Sequence, residues 1–217
     1  MSLKASIIPV TPLQQNCTIF WCDETQKGIV VDPGGDVSDL LDALKENQII
    51  LEKVVLTHGH FDHVGGAMDL SKATGVPIIG PHQDDAFITT AVVAAQNMYD
   101  LDGGKDVVGN AWLNDGDQIT FGNITLDVIH TPGHTPGHVV LYCKDAKLAQ
   151  VGDVLFKGSI GRTDFPRGDL KTLENSITQK LWPLGNDVTF IPGHGPTSTF
   201  GEERASNPFV GDRALAS

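Results

Sequence analysis

At 217 residues, with 40% hydrophobic and 19% charged positions, the chain is long enough to bury a substantial core and too apolar to be read as disordered. Its 27 acidic against 15 basic residues give a formal net charge of −12, which argues against a nucleic-acid partner tracked by a broad basic surface but leaves room for a small anionic ligand held by a few local cations. The first nine residues lack the apolar run and small-residue cleavage site of a secretory signal, and no later apolar run could span a bilayer; a cytoplasmic protein with no membrane partner is expected.

Apolar, β-branched runs near 5–10, 17–22 and 28–31 read as strands. A helix is predicted over 36–47, where Val37, Leu40, Leu41 and Leu44 share a face, followed by a strand at 53–56. Helical spacing returns at 63–74 and 82–98, on either side of a strand at 76–79. Residues 99–117 carry no periodicity and contain Gly103-Gly104 and Asn114-Asp115-Gly116-Asp117, so they read as a surface connector. Strands are predicted at 118–121, 124–130, 138–142, 148–151 and 188–191, with a helix over 170–181 placing Leu170, Leu173, Ile177 and Leu181 together. No linker, charge block or repeat interrupts the chain, so 1–217 is expected to be one α/β domain. Cys17, Cys22 and Cys143 are odd in number and lie in apolar runs, as reduced core cysteines do.

The chemistry concentrates where strands end. Val54-Val55-Leu56 runs into Thr57-His58-Gly59-His60-Phe61-Asp62-His63. Imidazoles two apart in an extended segment face the same side, so His58 and His60 can grip one ion, while Asp62 and His63, where the chain turns into a helix, can reach a second. An Asp at a helix start is also a common N-cap, and any one histidine is unremarkable; together, His-x-His-x-Asp-His has a chance expectation of about 0.001 per chain of this composition. Three more motifs each follow a predicted strand: His130-Thr131-Pro132-Gly133-His134-Thr135-Pro136-Gly137-His138, Gly152-Asp153, and Pro192-Gly193-His194-Gly195. Strand ends of an open α/β sheet converge on a single crevice.

Five histidines and two carboxylates exceed the four donors of a structural zinc site and suit two ions with a shared ligand. The assignment is His58, His60 and His134 on the first metal, Asp62, His63 and His194 on the second, and Asp153 between them, with Asp62 also orienting the metal-bound hydroxide. A donor set of nitrogen and oxygen suits zinc, with iron(II) and manganese as alternatives. His130 and His138 flank His134 and are expected to support rather than ligate. Asp32, in Val31-Asp32-Pro33-Gly34-Gly35, reads either as a turn residue or as a carboxylate orienting a ligand histidine. His82 has no motif around it and is expected at the surface.

This ordered set resembles the metallo-β-lactamase superfamily and, within it, the glyoxalase II enzymes. Asn16-Cys17, Val31 to Gly35, Gly133 to His138, Gly152-Asp153-Val154-Leu155-Phe156-Lys157-Gly158 and Asp164-Phe165-Pro166-Arg167-Gly168-Asp169 are similar to the short bacterial type II glyoxalases. The resemblance implies an αββα sandwich of two mixed sheets flanked by helices, and hydrolysis of S-lactoylglutathione to lactate and glutathione. Only 23 residues follow His194, too few for the C-terminal helical domain of the longer glyoxalase II enzymes, so a broader range of thioesters is compatible. Arg162 falls near a lysine that those enzymes set against a glutathione carboxylate, and Lys157 and Arg167 are close in sequence; all three are candidate substrate contacts.

Two rival functions are weighed against the hydrolase. A persulfide dioxygenase with a single iron on His58, His134 and Asp153 resembles the chain at Gly161-Arg162-Thr163-Asp164-Phe165. A non-catalytic metal-binding module would leave the surplus donors unexplained.

Overall fold

In the computed structural model, which describes residues 2–99 and 103–215, successive side chains of the central strands alternate between two apolar layers. Along β2 (Gln15–Cys22), Cys17 and Ile19 face one cluster and Phe20 and Cys22 another. Along β8 (Val139–Cys143), Val139 and Leu141 meet Phe20 and Val31 in the middle of the molecule, while Val140 and Tyr142 face outward onto Leu173, Ile177 and Leu181. Strands buried on both faces need helices outside them, and that requirement gives the αββα order of layers.

The first sheet runs β1 (Leu3–Val10), β2, β3 (Lys27–Val31), β4 (Ile50–Val55), β5 (Ile78–Ile79), antiparallel at first and parallel from β3 onward. Helices α1 (Val37–Glu46) and α3 (Ala67–Thr74) cover its outer face through Leu40, Leu44, Ala67 and Leu70. The second sheet is ordered β13 (Ser198–Thr199), β12 (Thr189–Pro192), β9 (Leu148–Gly152), β8, β7 (Ile124–His130), β6 (Gln118–Phe121), with β9 and β12 its parallel pair. Helices α6 (Leu170–Asn175) and α7 (Phe200–Ser206) pack outside it. Both sheets are therefore mixed, as expected. In each, the parallel strands send their C-terminal ends to one edge, where Asn16 N–H donates to Gly193 O and Val139 N–H donates to Thr57 O, joining the sheets.

Several elements differ from the sequence reading. The helix expected over 82–98 is broken into a 3-10 turn (Gln83–Asp85), α4 (Ala86–Thr89) and α5 (Val92–Asn97). Thr90 Oγ1 bonds back to Ala86 O, and Thr89 O takes the amide of Val107 instead of continuing the helix. The helix expected at 63–74 starts earlier, as α2 (Phe61–Val64), and restarts after Gly65-Gly66. A Cβ at Gly65 would stand 2.7 Å from Gly34 O, and one at Gly66 2.8 Å from Pro33 O. Helix α6 widens into a π-helical stretch (Ser176–Leu181). The expected strand at 76–79 pairs only over Ile78–Ile79. The short hairpin β10 (Leu155–Phe156) and β11 (Ser159–Ile160), strand β13 and helix α7 were not legible as elements, although Thr199, four positions before α7's Glu203 and three before Glu202, accepts the Glu202 amide as an N-cap.

Residues 103–117 form the expected connector, pinned where Asn110 N–H donates to Ile78 O and Gly80 N–H to Ala111 O; residues 100–102 of that segment lie outside the described residues. All three cysteines are buried and free.

Candidate metal centre

Strand β4 ends at Val55, the chain bends at Thr57, and His60 is extended where it caps α2. His58 Nε2 lies 3.1 Å from His60 Nδ1, which lies 2.9 Å from His134 Nε2 on the loop after β7. A second group forms beside it: Asp62 Oδ2 is 3.1 Å from His194 Nε2 and 3.8 Å from His63 Nε2. Asp153, at the end of β9, faces both groups, with Oδ1 3.3 Å from His63 Nε2 and Oδ2 3.7 Å from His134 Nε2 and 4.0 Å from His194 Nε2. The seven residues singled out from four separate motifs are thus brought together, and the two triads, His58–His60–His134 and Asp62–His63–His194, each present donor atoms at metal-ligand spacing. Asp62 sits in the first turn of α2, whose N-cap is His60, so its carboxylate is not a cap.

The supporting contacts fix which ring nitrogen faces the centre. Thr57 Oγ1 donates to Asp32 Oδ2 at 2.6 Å and lies 3.1 Å from His58 Nδ1, whose proton it accepts; His58 Nε2 then carries the lone pair. His63 Nδ1 lies 2.9 Å from Asp32 Oδ2, and His134 Nδ1 lies 2.8 Å from Arg162 O, so both turn Nε2 inward. Asp32 is fully buried with φ 53°, held there by these bonds and by the Thr57 amide at 2.7 Å. His138 uses both nitrogens elsewhere: Nε2 accepts the Asp153 amide at 3.1 Å, and Nδ1 faces Thr131 Oγ1 at 3.3 Å. It positions Asp153 and has no lone pair to spare. His130 bonds Pro136 O and stacks on His82, which is half-buried rather than at the surface.

Electrostatics sort the same residues. Burial, reinforced by neighbouring imidazoles, holds His58 well below its ordinary range and pushes His60 down to about 3; burial also lowers His134. These three are neutral donors at neutral pH. Burial would lower His63 as well, but Asp153, Asp62 and Asp32 more than reverse it and raise its pKa. Asp153 and Asp62 are held below the usual carboxylate range, because His63 and its neighbours outweigh the cost of burial.

With His60 Nδ1 3.1 Å from His58 Nε2 and 2.9 Å from His134 Nε2, the three imidazole lone pairs repel unless a cation lies among them. His63 Nε2 and Asp153 Oδ1 are buried with no well-aligned hydrogen bond, facing each other at 3.3 Å, a gap that a cation can occupy in place of the proton. The residues fit a pair of divalent metals, and the all nitrogen and oxygen set is compatible with zinc, iron(II) or manganese.

The centre floors a cavity of about 940 Å³ that His60, Asp62, His134, Asp153 and His194 all line. Of the three candidate substrate contacts, Lys157 and Arg162 line it, and Arg167 does not. Arg162 is held in a two-pronged pair with Asp164 at 2.7 Å and lies over the Phe165 ring. Arg167 lies over Phe87 and donates to Asp84 O.

Asp85 went unnoticed in the sequence. It is buried and accepts from Gly59 N–H at 2.9 Å, Thr135 Oγ1 at 2.8 Å and Gly137 N–H at 2.6 Å, tying the loop of His58 and His60 to that of His134 and His138. No local motif marks it, because its three partners come from two distant loops.

The metallo-beta-lactamase superfamily profile matches residues 10–194. The chain is 41% identical to the hydroxyacylglutathione hydrolase GloC of Haemophilus influenzae over 213 residues, covering 98% of this chain and all of that protein. Among solved structures, it aligns with BLEG-1, described as a B3 metallo-beta-lactamase, at TM-score 0.88 and 33% identity over 95% of this chain and 99% of that one. It aligns with TTHA1623 in a di-iron-bound form at TM-score 0.86 and 34% identity, over 94% and 99% of the two chains.

Proposed function

The chain belongs to the metallo-beta-lactamase superfamily, and from that premise we propose that it is a single-domain, cytoplasmic, metal-dependent thioester hydrolase acting on glutathione thioesters such as S-lactoylglutathione. The similarity to GloC supports the substrate class. The observation that carries the chemistry is the pair of donor triads facing one another across Asp153.

A bound pair of divalent cations supplies acidification of water and polarisation of a carbonyl. His58, His60 and His134 would hold one ion and Asp62, His63 and His194 the other, with Asp153 reaching both. Asp62 stays ionised beside His194 and His63, so its carboxylate accepts a hydrogen bond from the attacking water and aims the oxygen lone pair at the acyl carbon. Asp32 and the Arg162 carbonyl keep the rings of His63 and His134 turned inward while charge redistributes. Lys157, at the cavity wall, offers a cation to the substrate's carboxylates. Cys17 is buried with its thiol pKa raised by burial, so it is no nucleophile.

The decisive experiment purifies the protein with its native metal, counts metal per chain, and follows S-lactoylglutathione cleavage with and without oxygen. Oxygen-independent release of glutathione at about two metals per chain is the expected result. Oxygen consumption with glutathione persulfide and no thioester cleavage would replace the hydrolase by a dioxygenase.

A further inference from the structure

We infer that the site takes thioesters whose acyl group is a hydrocarbon chain, in preference to the small hydroxylated lactoyl group; this rests on the thioester-hydrolase reading and specifies its substrate. The cavity above the centre is walled by Phe61, Phe87, Ile88, Met98, Tyr99 and Phe165. Phe87 and Met98 are 40% and 83% exposed. Large apolar side chains left in water around a catalytic floor gain from being covered by a ligand of the same character.

Polar groups are scarce on the same surface. Asp62 and Asp153 belong to the donor set, and Arg162 is neutralised by Asp164. Lys157 is then, among the described lining residues, the cation with no carboxylate partner. That single charge suits the carboxylates of a glutathione half. The apolar wall is left to the other half of the thioester, and a three-carbon acyl group bearing a hydroxyl covers little of it.

Reaction balance is that of simple hydrolysis. Water gives its oxygen to the acyl carbon, the C–S bond breaks with its electron pair on sulfur, and sulfur ends as the thiol by taking one proton of the water. The other proton is released as the acyl half leaves as a carboxylate.

The test uses the protein as purified with its metal. Binding of the inert thioethers S-methyl-, S-butyl- and S-octylglutathione is measured by calorimetry, alongside kcat/KM for lactoyl-, butyryl- and octanoylglutathione. Affinity and kcat/KM are expected to rise by about two- to fourfold per methylene covered, the upper figure corresponding to about 0.8 kcal/mol. Met98→Asp and Phe87→Asp, both at exposed positions, should flatten the dependence on chain length. Thioether binding that ignores chain length, or a lactoyl ester hydrolysed as efficiently as the octanoyl one, overturns the inference while leaving the hydrolase standing. Length-dependent thioether binding without hydrolysis of any ester overturns the thioester-hydrolase reading instead.

Discussion

Asp32 Oδ2 lies 2.9 Å from His63 Nδ1, and neither side chain is reached by solvent. The same carboxylate accepts from Thr57, which in turn takes the proton of His58 Nδ1, so one buried anion orients a histidine in each triad. A carboxylate behind a ligand histidine fixes its tautomer and makes it a better donor. Asp32→Ala is therefore expected to weaken metal binding by about 10- to 100-fold, with the ion held by His63 lost first. Competition against a chromophoric chelator reads this directly, and affinity equal to the parent protein would remove Asp32 from the centre.

Asp62 and His60 separate metal binding from chemistry. His60 belongs to the triad of three neutral imidazoles, whereas Asp62 both completes the other triad and is the carboxylate nearest His194. His60→Ala and Asp62→Ala should each reduce thioester turnover by at least about 10²-fold, with an unchanged far-ultraviolet circular dichroism spectrum. Metal counted on each variant tells the two roles apart. Full turnover in a variant that still holds both ions would sink the assignment.

Much of this centre was legible because its residues follow strands, and strand ends are where an α/β sandwich collects them. Thr57 to His63, His134, Asp153 and His194 could be read from four short motifs. The two readings left open for Asp32 could not be separated from sequence, since a left-handed turn residue and a buried hydrogen-bonding carboxylate look the same until Thr57 and His63 are placed around it. Asp85 was illegible for a related reason: its partners Gly59, Thr135 and Gly137 offer backbone and hydroxyl groups, which carry no residue signature. The helix over 82–98 failed where the same carboxylate and the Thr89 carbonyl were drawn into tertiary bonds, which outweigh local periodicity.

Asp85 carries its own pH signature. Burial pushes its carboxyl up to about 6, against three hydrogen bonds that favour the charged form. Because the folded pKa lies above the unfolded one, the folded state binds more protons between about pH 4 and 6, and stability falls as pH rises through that window before levelling off. The loss is on the order of 3 kcal/mol. In the chelated protein, the stability advantage of the parent over Asp85→Asn should therefore shrink between pH 4 and pH 6 and stay constant near pH 7, as read from denaturant midpoints. An advantage that does not vary with pH would show that Asp85 does not titrate there.

His63 links protonation to the metal itself. Its pKa is raised in the metal-free fold, because Asp153, Asp62 and Asp32 outweigh the effect of burial. A raised imidazole pKa contributes stability that is complete below the unfolded value and is lost as pH rises through the folded one. The chelated protein should accordingly lose thermal stability as pH climbs above the ordinary imidazole range. Metal binding must displace that proton from Nε2, so loading releases protons into the buffer and tightens with pH across the same interval. Titrating metal into the chelated chain in buffers of different ionisation enthalpy measures the release, and His63→Ala should abolish most of it. A proton count that is the same with and without His63 would mean that the ion does not sit on that nitrogen.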